Sequence, residues 1–233
     1  MISSSNYSLR TNGISIVVVG AMNPAIFQPF WFASNNLIRD EDAENAKVDI
    51  VHSQATVFAC DWFSLNVTTD RFGIESRDSA KLYELRDLVL GTFAILEHTP
   101  IGAFGLNSLQ HFEITTEEVW HAIGDHFAPK TSWTELFDRE PRLGMRALVI
   151  EGNKSETLAD RIQIRIEPSK TALPYGLHVN INQHYRFASP ENGPGNVDQM
   201  VDALNTQWEG FLRFRDQVWK HIFAQVPIDG RGN

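Results

Sequence analysis

Arg161-Ile162-Gln163-Ile164-Arg165-Ile166-Glu167 is the stretch on which the fold turns. Three isoleucines alternate with charged and amide side chains. In an extended chain successive side chains point to opposite faces, so this is a strand with one buried and one wet face. Gly176 to Phe187 follows the same rule, with Leu177, Val179 and Ile181 alternating with His178, Asn180 and Asn182. Met145 to Ile150 supplies a third strand, and the three read as an antiparallel meander. Beyond the turn-forming Pro190-Glu191-Asn192-Gly193-Pro194-Gly195, the residues Val197, Val201, Leu204, Trp208, Phe211, Val218 and Ile222 fall on one stripe of a long final helix. A helix of about 29 residues would span about 43 Å.

The first half has a related layout. Ile14 to Val19 is β-branched and short, which predicts a strand buried on both faces. Pro29 suits the first turn of a short aromatic helix over 27–38, and Asn35-Asn36 suits its end. Asp40 to Ala46 is an acidic connector or a single helical turn. Val57 to Val67 and Phe72 to Glu75 flank Thr68-Thr69-Asp70-Arg71 as a hairpin. Asp78 or Ser79 caps a helix carrying Leu82, Leu85, Val89, Phe93 and Leu96, which Thr99-Pro100 stops. Ile101 to Ile114 returns as a strand whose Gly102 and Gly105 mark a bulge or close packing. Thr115 and Glu118 form a capping box for a helix bearing Val119, Trp120, Ile123 and Phe127. The expected fold class is α+β: antiparallel sheets, a hairpin and a three-stranded meander, packed with helices. One domain over 1–233 is expected, with subregions 14–127 and 141–225 sharing a core and loose ends at 1–12 and 227–233.

Composition narrows the function classes. The 233 residues are 42% hydrophobic, enough for one substantial core. A formal charge of -9 repels polyanions at long range, which makes nucleic acid an unfavoured partner. The one cysteine, Cys60, has no partner for an intramolecular disulfide. The reducing cytoplasm is therefore the expected location. No stretch approaches the roughly 18 apolar residues of a membrane helix, and no secretory leader is recognisable at Met1 to Gly13.

The chemistry-bearing residues do not assemble into a known catalytic set. His121, Asp125 and His126 lie on one helix but lack further ligands for a metal. Cys60 and His52 are eight apart, yet Cys60 reads as mid-strand, a poor setting for a reactive thiol. His98 sits where it can cap a helix end. Phosphate-loop, dinucleotide, nucleophile-elbow and metalloprotease motifs are all missing. No catalytic residue, metal or cofactor is assigned. Arg139, Arg142, Arg146, Arg161, Arg165 and Lys170 concentrate in one third of the acidic chain, and His178 and His184 share a polar strand face with Asn180 and Asn182. Arg161, Arg165 and His178 are the candidates for holding an anion, against a reading as a solvated face laced with pairs to Glu140, Glu151 or Glu167.

Phe27 through Phe112 resembles a group of uncharacterised bacterial proteins of similar length. Trp31-Phe32, Asn36-Leu37-Ile38, Ala43-Glu44-Asn45-Ala46, Arg86-Asp87-Leu88-Val89 and His98-Thr99-Pro100-Ile101 carry the likeness. The chain is also similar to a sporadically distributed bacterial α+β family without an assigned activity. The resemblance implies a bacterial or phage setting and no catalytic residue. The leading functional expectation is a non-enzymatic protein-interaction or assembly subunit, a homodimer or part of a larger assembly. Trp31, Trp133, Trp208 and Trp219 exceed what the patterns obviously bury, and Trp208, Phe211 and Trp219 on the final helix are the expected interface. The competing expectation is a small hydrolase or nucleic-acid-processing enzyme working from the Arg161/Arg165 face with His178 or His184. A third is a module for a small anion.

Overall fold

Each half contributes strands to one continuous sheet, because Ile101–Ile114 pairs on one side with the N-terminal strand and on the other with Gly176–Arg186. A computed structural model describes residues 6–137, 143–154, 159, 161–187 and 196–224. The strands are β1 (Tyr7–Gly20), β2 (Lys47–Val51), β3 (Ala55–Ala59), β4 (Ser64–Thr68), β5 (Arg71–Ser76), β6 (Ile101–Ile114), β7 (Leu148–Gly152), β8 (Arg161–Pro168) and β9 (Gly176–Arg186). Their order is β2-β3-β4-β5-β1-β6-β9-β8-β7, antiparallel at every pairing. The helices are α1 (Pro29–Ser34), α2 (Asp40–Glu44), α3 (Leu82–Ile95), α4 (Glu117–Phe127) and α5 (Val197–Ala224). The architecture is α+β, as the alternation of 161–167 and the stripe of the final helix require.

The side chains that the helices meet all belong to one face. Ile14, Ile16 and Val18 of β1, Phe72 and Ile74 of β5, Phe104, Leu106 and Phe112 of β6, and Val179 and Ile181 of β9 are all essentially solvent-free. Phe72 packs on Phe27 and on Phe93 of α3, while Phe112 packs on Trp219 and Phe223 of α5. The period of two puts their neighbours on the opposite face. That face carries Ser15, Val17, Asn107, His111, His178, Asn180 and Asn182, half-buried by one another, and no described helix covers it. The expectation that Ile14–Val19 is buried on both faces is thereby corrected: only its isoleucine face is packed.

Local details follow from named residues. Thr116, one residue later than the expected cap, accepts the Val119 N–H and starts α4, so no box with Glu118 closes. Asp78 Oδ1 accepts the Ala80 N–H and opens the short 3₁₀ turn that leads into α3. The expected strand over 57–67 is two strands, broken by a tight turn at Cys60-Asp61-Trp62-Phe63 in which the Cys60 N–H donates to the Phe63 carbonyl. Gly102 is a bulge: Val19 pairs with Ala103 and Gly20 with Ile101, leaving it unopposed. Residues 7–12, expected as a loose end, are the first part of β1. The other expected end, 227–233, and the turn at 190–195 lie outside the described residues.

α5 spans 28 residues, about 42 Å, and its aromatic residues belong to the core. Trp208 and Phe211 are 0% exposed. Trp219 is half-buried against Tyr7 and Phe112. Trp208 and Phe211, two of the three residues expected at an interface, are therefore spent within the chain, since a ring already enclosed has no surface to offer a partner. Of the four surplus tryptophans, Trp133 alone is largely exposed, at 54%. Trp208→Ala is expected to cost about 3–5 kcal/mol of folding stability, read as a lowered urea midpoint. Gly20→Ala, whose new Cβ would fall 2.2 Å from the Pro100 carbonyl oxygen, is expected to destabilise far more than Gly102→Ala, which meets nothing within 4 Å.

Candidate functional site

Register brings distant residues into rows across the uncovered face. One row runs Glu75, Ser15, Asn107, Asn182, Gln163 and Glu151 through β5, β1, β6, β9, β8 and β7. Asn182 Nδ2 donates to Asn107 Oδ1 at 2.5 Å, and Asn107 Nδ2 donates to the Ser15 carbonyl at 3.4 Å. The adjacent row runs Asn66, Gly73, Val17, Gly105, His184 and Arg161. Its two glycines remove side chains from the middle of the face and leave a trough. Ser15, Val17, Asn66, Gly73 and Arg71 line a groove of about 590 Å³ at one end. Arg161, His184 and Arg186 line another, of about 790 Å³, at the other end with Gly152 and Asn153.

The anion candidates separate. Arg161 lies directly across from His184, and Arg186 follows two residues along the same strand face. Arg165 and His178 lie elsewhere on the face and share one carboxylate. Arg165 Nε donates to Glu167 Oε2 at 2.8 Å, and His178 Nδ1 meets Glu167 Oε1 at 3.2 Å. The hydrogen bond from Arg165 holds the Glu167 carboxyl below its usual range, with a smaller contribution from His178. Lys170 and Arg146 form no ion pair among the described residues, and Arg139 and Arg142 lie outside the described residues.

His111, which nothing in the sequence singles out, completes the second cluster. Its ring stacks on His178 with centroids 4.3 Å apart and planes 6° from parallel. Ser169 Oγ accepts the N–H groups of Thr171 and Ala172 at 3.1 and 2.9 Å. The same oxygen lies 2.8 Å from His111 Nδ1 and 3.3 Å from Thr171 Oγ1. Desolvation pushes the His111 imidazole below its ordinary range, helped by His178 and Arg77 and opposed by Glu167. Ser169 is buried with both lone pairs engaged, so it is a structural hydroxyl holding the 169–172 turn and not a nucleophile.

The remaining candidates are explained by their neighbours. Lys130 Nζ stands 3.0 Å from Asp125 and 3.4 Å from His121 Nδ1, so an ammonium group occupies the centre of the imagined metal site. No cluster of three metal-binding side chains exists among the described residues. Cys60 sits at the turn after β3, not in mid-strand. Its thiol donates to the Asp42 carbonyl at 3.4 Å, and burial, with Asp42 and Asp61 nearby, pushes it up to about 12. It stays a thiol at neutral pH. His98 lies past the end of α3 beside Glu97. No helix among the described residues is long and apolar enough to cross a membrane.

A base whose proton affinity is lowered by folding makes the unfolded chain the better proton binder as acidity rises. The stability that His111 contributes is therefore complete above its ordinary value of about 6.5 and is lost as pH falls from there through its lower folded value. Urea midpoints measured from pH 7.5 to 5 are expected to fall more steeply for the wild type than for His111→Gln. Identical slopes would remove His111 from the account. No protein-family model matches the chain, and no curated protein matches it.

Proposed function

We propose that the chain is a non-enzymatic assembly subunit that pairs with a second copy of itself through the outer edge of β7, in a bacterial cytoplasm as the family likeness and the unpaired cysteine suggest. The observation that carries this reading is the edge itself. β7 ends the sheet, its outer N–H and C=O groups have no strand partner among the described residues, and Val149 and Ile150 are 46% and 49% exposed. An apolar, unprotected edge is a template for another strand.

Charge and symmetry choose between the two edges. A two-fold axis normal to the sheet sets an edge strand antiparallel to its own copy, continuing the antiparallel order already present. For β7 the register that pairs all five residues sets Ile150 against Ile150, Leu148 against Gly152 and Val149 against Glu151. For β2 the same register sets Asp49 against Asp49, a like-charge pair that opposes association. β2 also carries a register shift between Val48 and Ile50, which blunts an edge.

A second reading, a small hydrolase working from the His/Arg face, has one observation in its favour: Glu167 touches both His178 and Arg165. Against it, the Nε2 atom of His178 is buried, so that ring has no free nitrogen to present to a substrate.

Light scattering coupled to size-exclusion chromatography is expected to give a concentration-dependent species of twice 26.4 kDa. Ile150→Glu, which would set two carboxylates face to face at the axis, is expected to give a folded monomer whose melting temperature no longer depends on protein concentration. A wild type that stays monomeric at all concentrations overturns self-assembly. A dimer indifferent to Ile150→Glu but lost with Trp133→Ala overturns the choice of edge.

A further inference from the structure

We propose that a single internal water is bound between α5 and β6, shared by Arg215, Gln110 and Ser108. The state of three polar groups is the first argument. Ser108 is 0% exposed, Gln110 1% and Arg215 7%. Ser108 Oγ, Gln110 Oε1 and Arg215 Nη1 are buried without a hydrogen-bond partner among the described residues. An unmet polar atom in a core carries its full desolvation cost, which is why nearly all such atoms are bonded to protein or to ordered water.

Placement is the second argument. Ser108 and Gln110 stand two apart on the helix-facing side of β6, between Leu106 and Phe112. α5 is anchored to the same strand at both ends. Asn196, at its start, donates from Nδ2 to the Ile101 carbonyl at 3.0 Å, and Trp219 and Phe223 pack on Phe112. Between those anchors the helix advances about 37 Å and the strand about 36 Å, so the two run side by side in one direction. Arg215 falls about 9 Å before the second anchor, and its side chain leans back toward the helix N-terminus, which sets its guanidinium level with Gln110 and Ser108. Trp208 Nε1, also buried and unmet, lies about 10 Å further back along the helix, level with Leu106 and outside the site.

The kind of partner each atom needs is the third. Arg215 Nε already donates to Asp216 Oδ1 at 2.9 Å, so the guanidinium has its counter-ion and Nη1 needs only an acceptor. Gln110 Nε2 already donates to Asn12 Oδ1 at 3.2 Å, so Oε1 needs a donor. Ser108 can act as either. A water accepts from Nη1 and donates to Oε1, with Ser108 Oγ as its third partner, the usual number for a buried water. A halide would suit the guanidinium but would stand against the Gln110 carbonyl oxygen. The water ties α5 to one axial position on β6, since a slip of one turn, about 5.4 Å, would part Arg215 from it.

The full chain crystallised at high resolution from a bromide-containing solution tests both site and ligand. Density for a water about 2.7–3.2 Å from Arg215 Nη1 and from Gln110 Oε1 or Ser108 Oγ, without anomalous signal, is expected. No density there, or direct contacts among the three side chains, overturns the proposal, and a bromide peak overturns the choice of water. In solution, oxygen-17 relaxation dispersion counts waters held for longer than the protein takes to tumble. Arg215→Met combined with Gln110→Leu is expected to lower that count by one, and a folded double variant with an unchanged count overturns the proposal.

Discussion

The pairing of β1 with β6 is the constraint on which the rest of the molecule depends. Both strands are 14 residues long, and they run side by side from Tyr7 against Ile114 to Gly20 against Ile101. Strands of that length exceed the usual 5 to 6 residues and commit the chain to one wide sheet. Two departures from regular pairing, at Arg10 and at Gly102, fall near the two ends of this ladder, so the central register is uninterrupted. Because side chains alternate strictly, that single register decides that Ile14, Ile16 and Val18 face the helices with Leu106 and Phe104. It decides equally that Ser15 and Val17 share the opposite face with Asn107 and Gly105. A slip by one residue would exchange the two sets and bury Asn107 against α5.

Once the helices take one face, the other must satisfy its polar groups without them. The amide row does this internally: Asn182 serves Asn107, which serves the Ser15 carbonyl, and Asn180 Nδ2 donates to the Ser108 carbonyl. The carboxylates Glu75 of β5 and Glu151 of β7 flank this row on its two sides. Such a row rigidifies a face that has no layer above it, since each amide is held by its neighbour across the strand. The glycine-containing row beside it does the reverse, lowering the surface where Gly73 and Gly105 stand. The polarity and the relief of this face therefore come from the same alternation that built the core.

Much of this was legible in the sequence. Ile162, Ile164 and Ile166 gave away β8 because the isoleucines occur at every second position, and the α5 stripe gave away the helix because its spacing fits 3.6 residues per turn. What failed did so for physical reasons. Residues 7–12 looked loose because Ser8, Thr11 and Asn12 lack an apolar period, and it is pairing with β6 that orders them. The turn at 60–63 contains no glycine or proline, and its apolar Trp62 and Phe63 disguised a break as a continuous strand. Trp208 looked surplus because counting aromatics on one helix says nothing of how much sheet lies beneath it. The site suffered most. Arg161 and His184 are brought together by β8–β9 register, and the pairing of His111 with Ser169 depends on the 169–172 turn, neither of which any local pattern encodes. Arg186 was within reach, standing two residues from His184 on the same face.

Edge and face meet at one side chain. Glu151 belongs to β7, the strand proposed to join a second copy, and its carboxylate is the one that reaches Arg161. In an unpaired edge strand half of the backbone hydrogen-bonding groups face water, and the strand is held from one side only. Pairing holds it from both sides and fixes the rotamers of residues set against a partner, Glu151 among them, which would then stand opposite Val149 of the copy. The pair that Glu151 makes with Arg161 is 3.7 Å long and about half exposed on both sides, so ordering the edge strand would matter more to it than it matters to the edge.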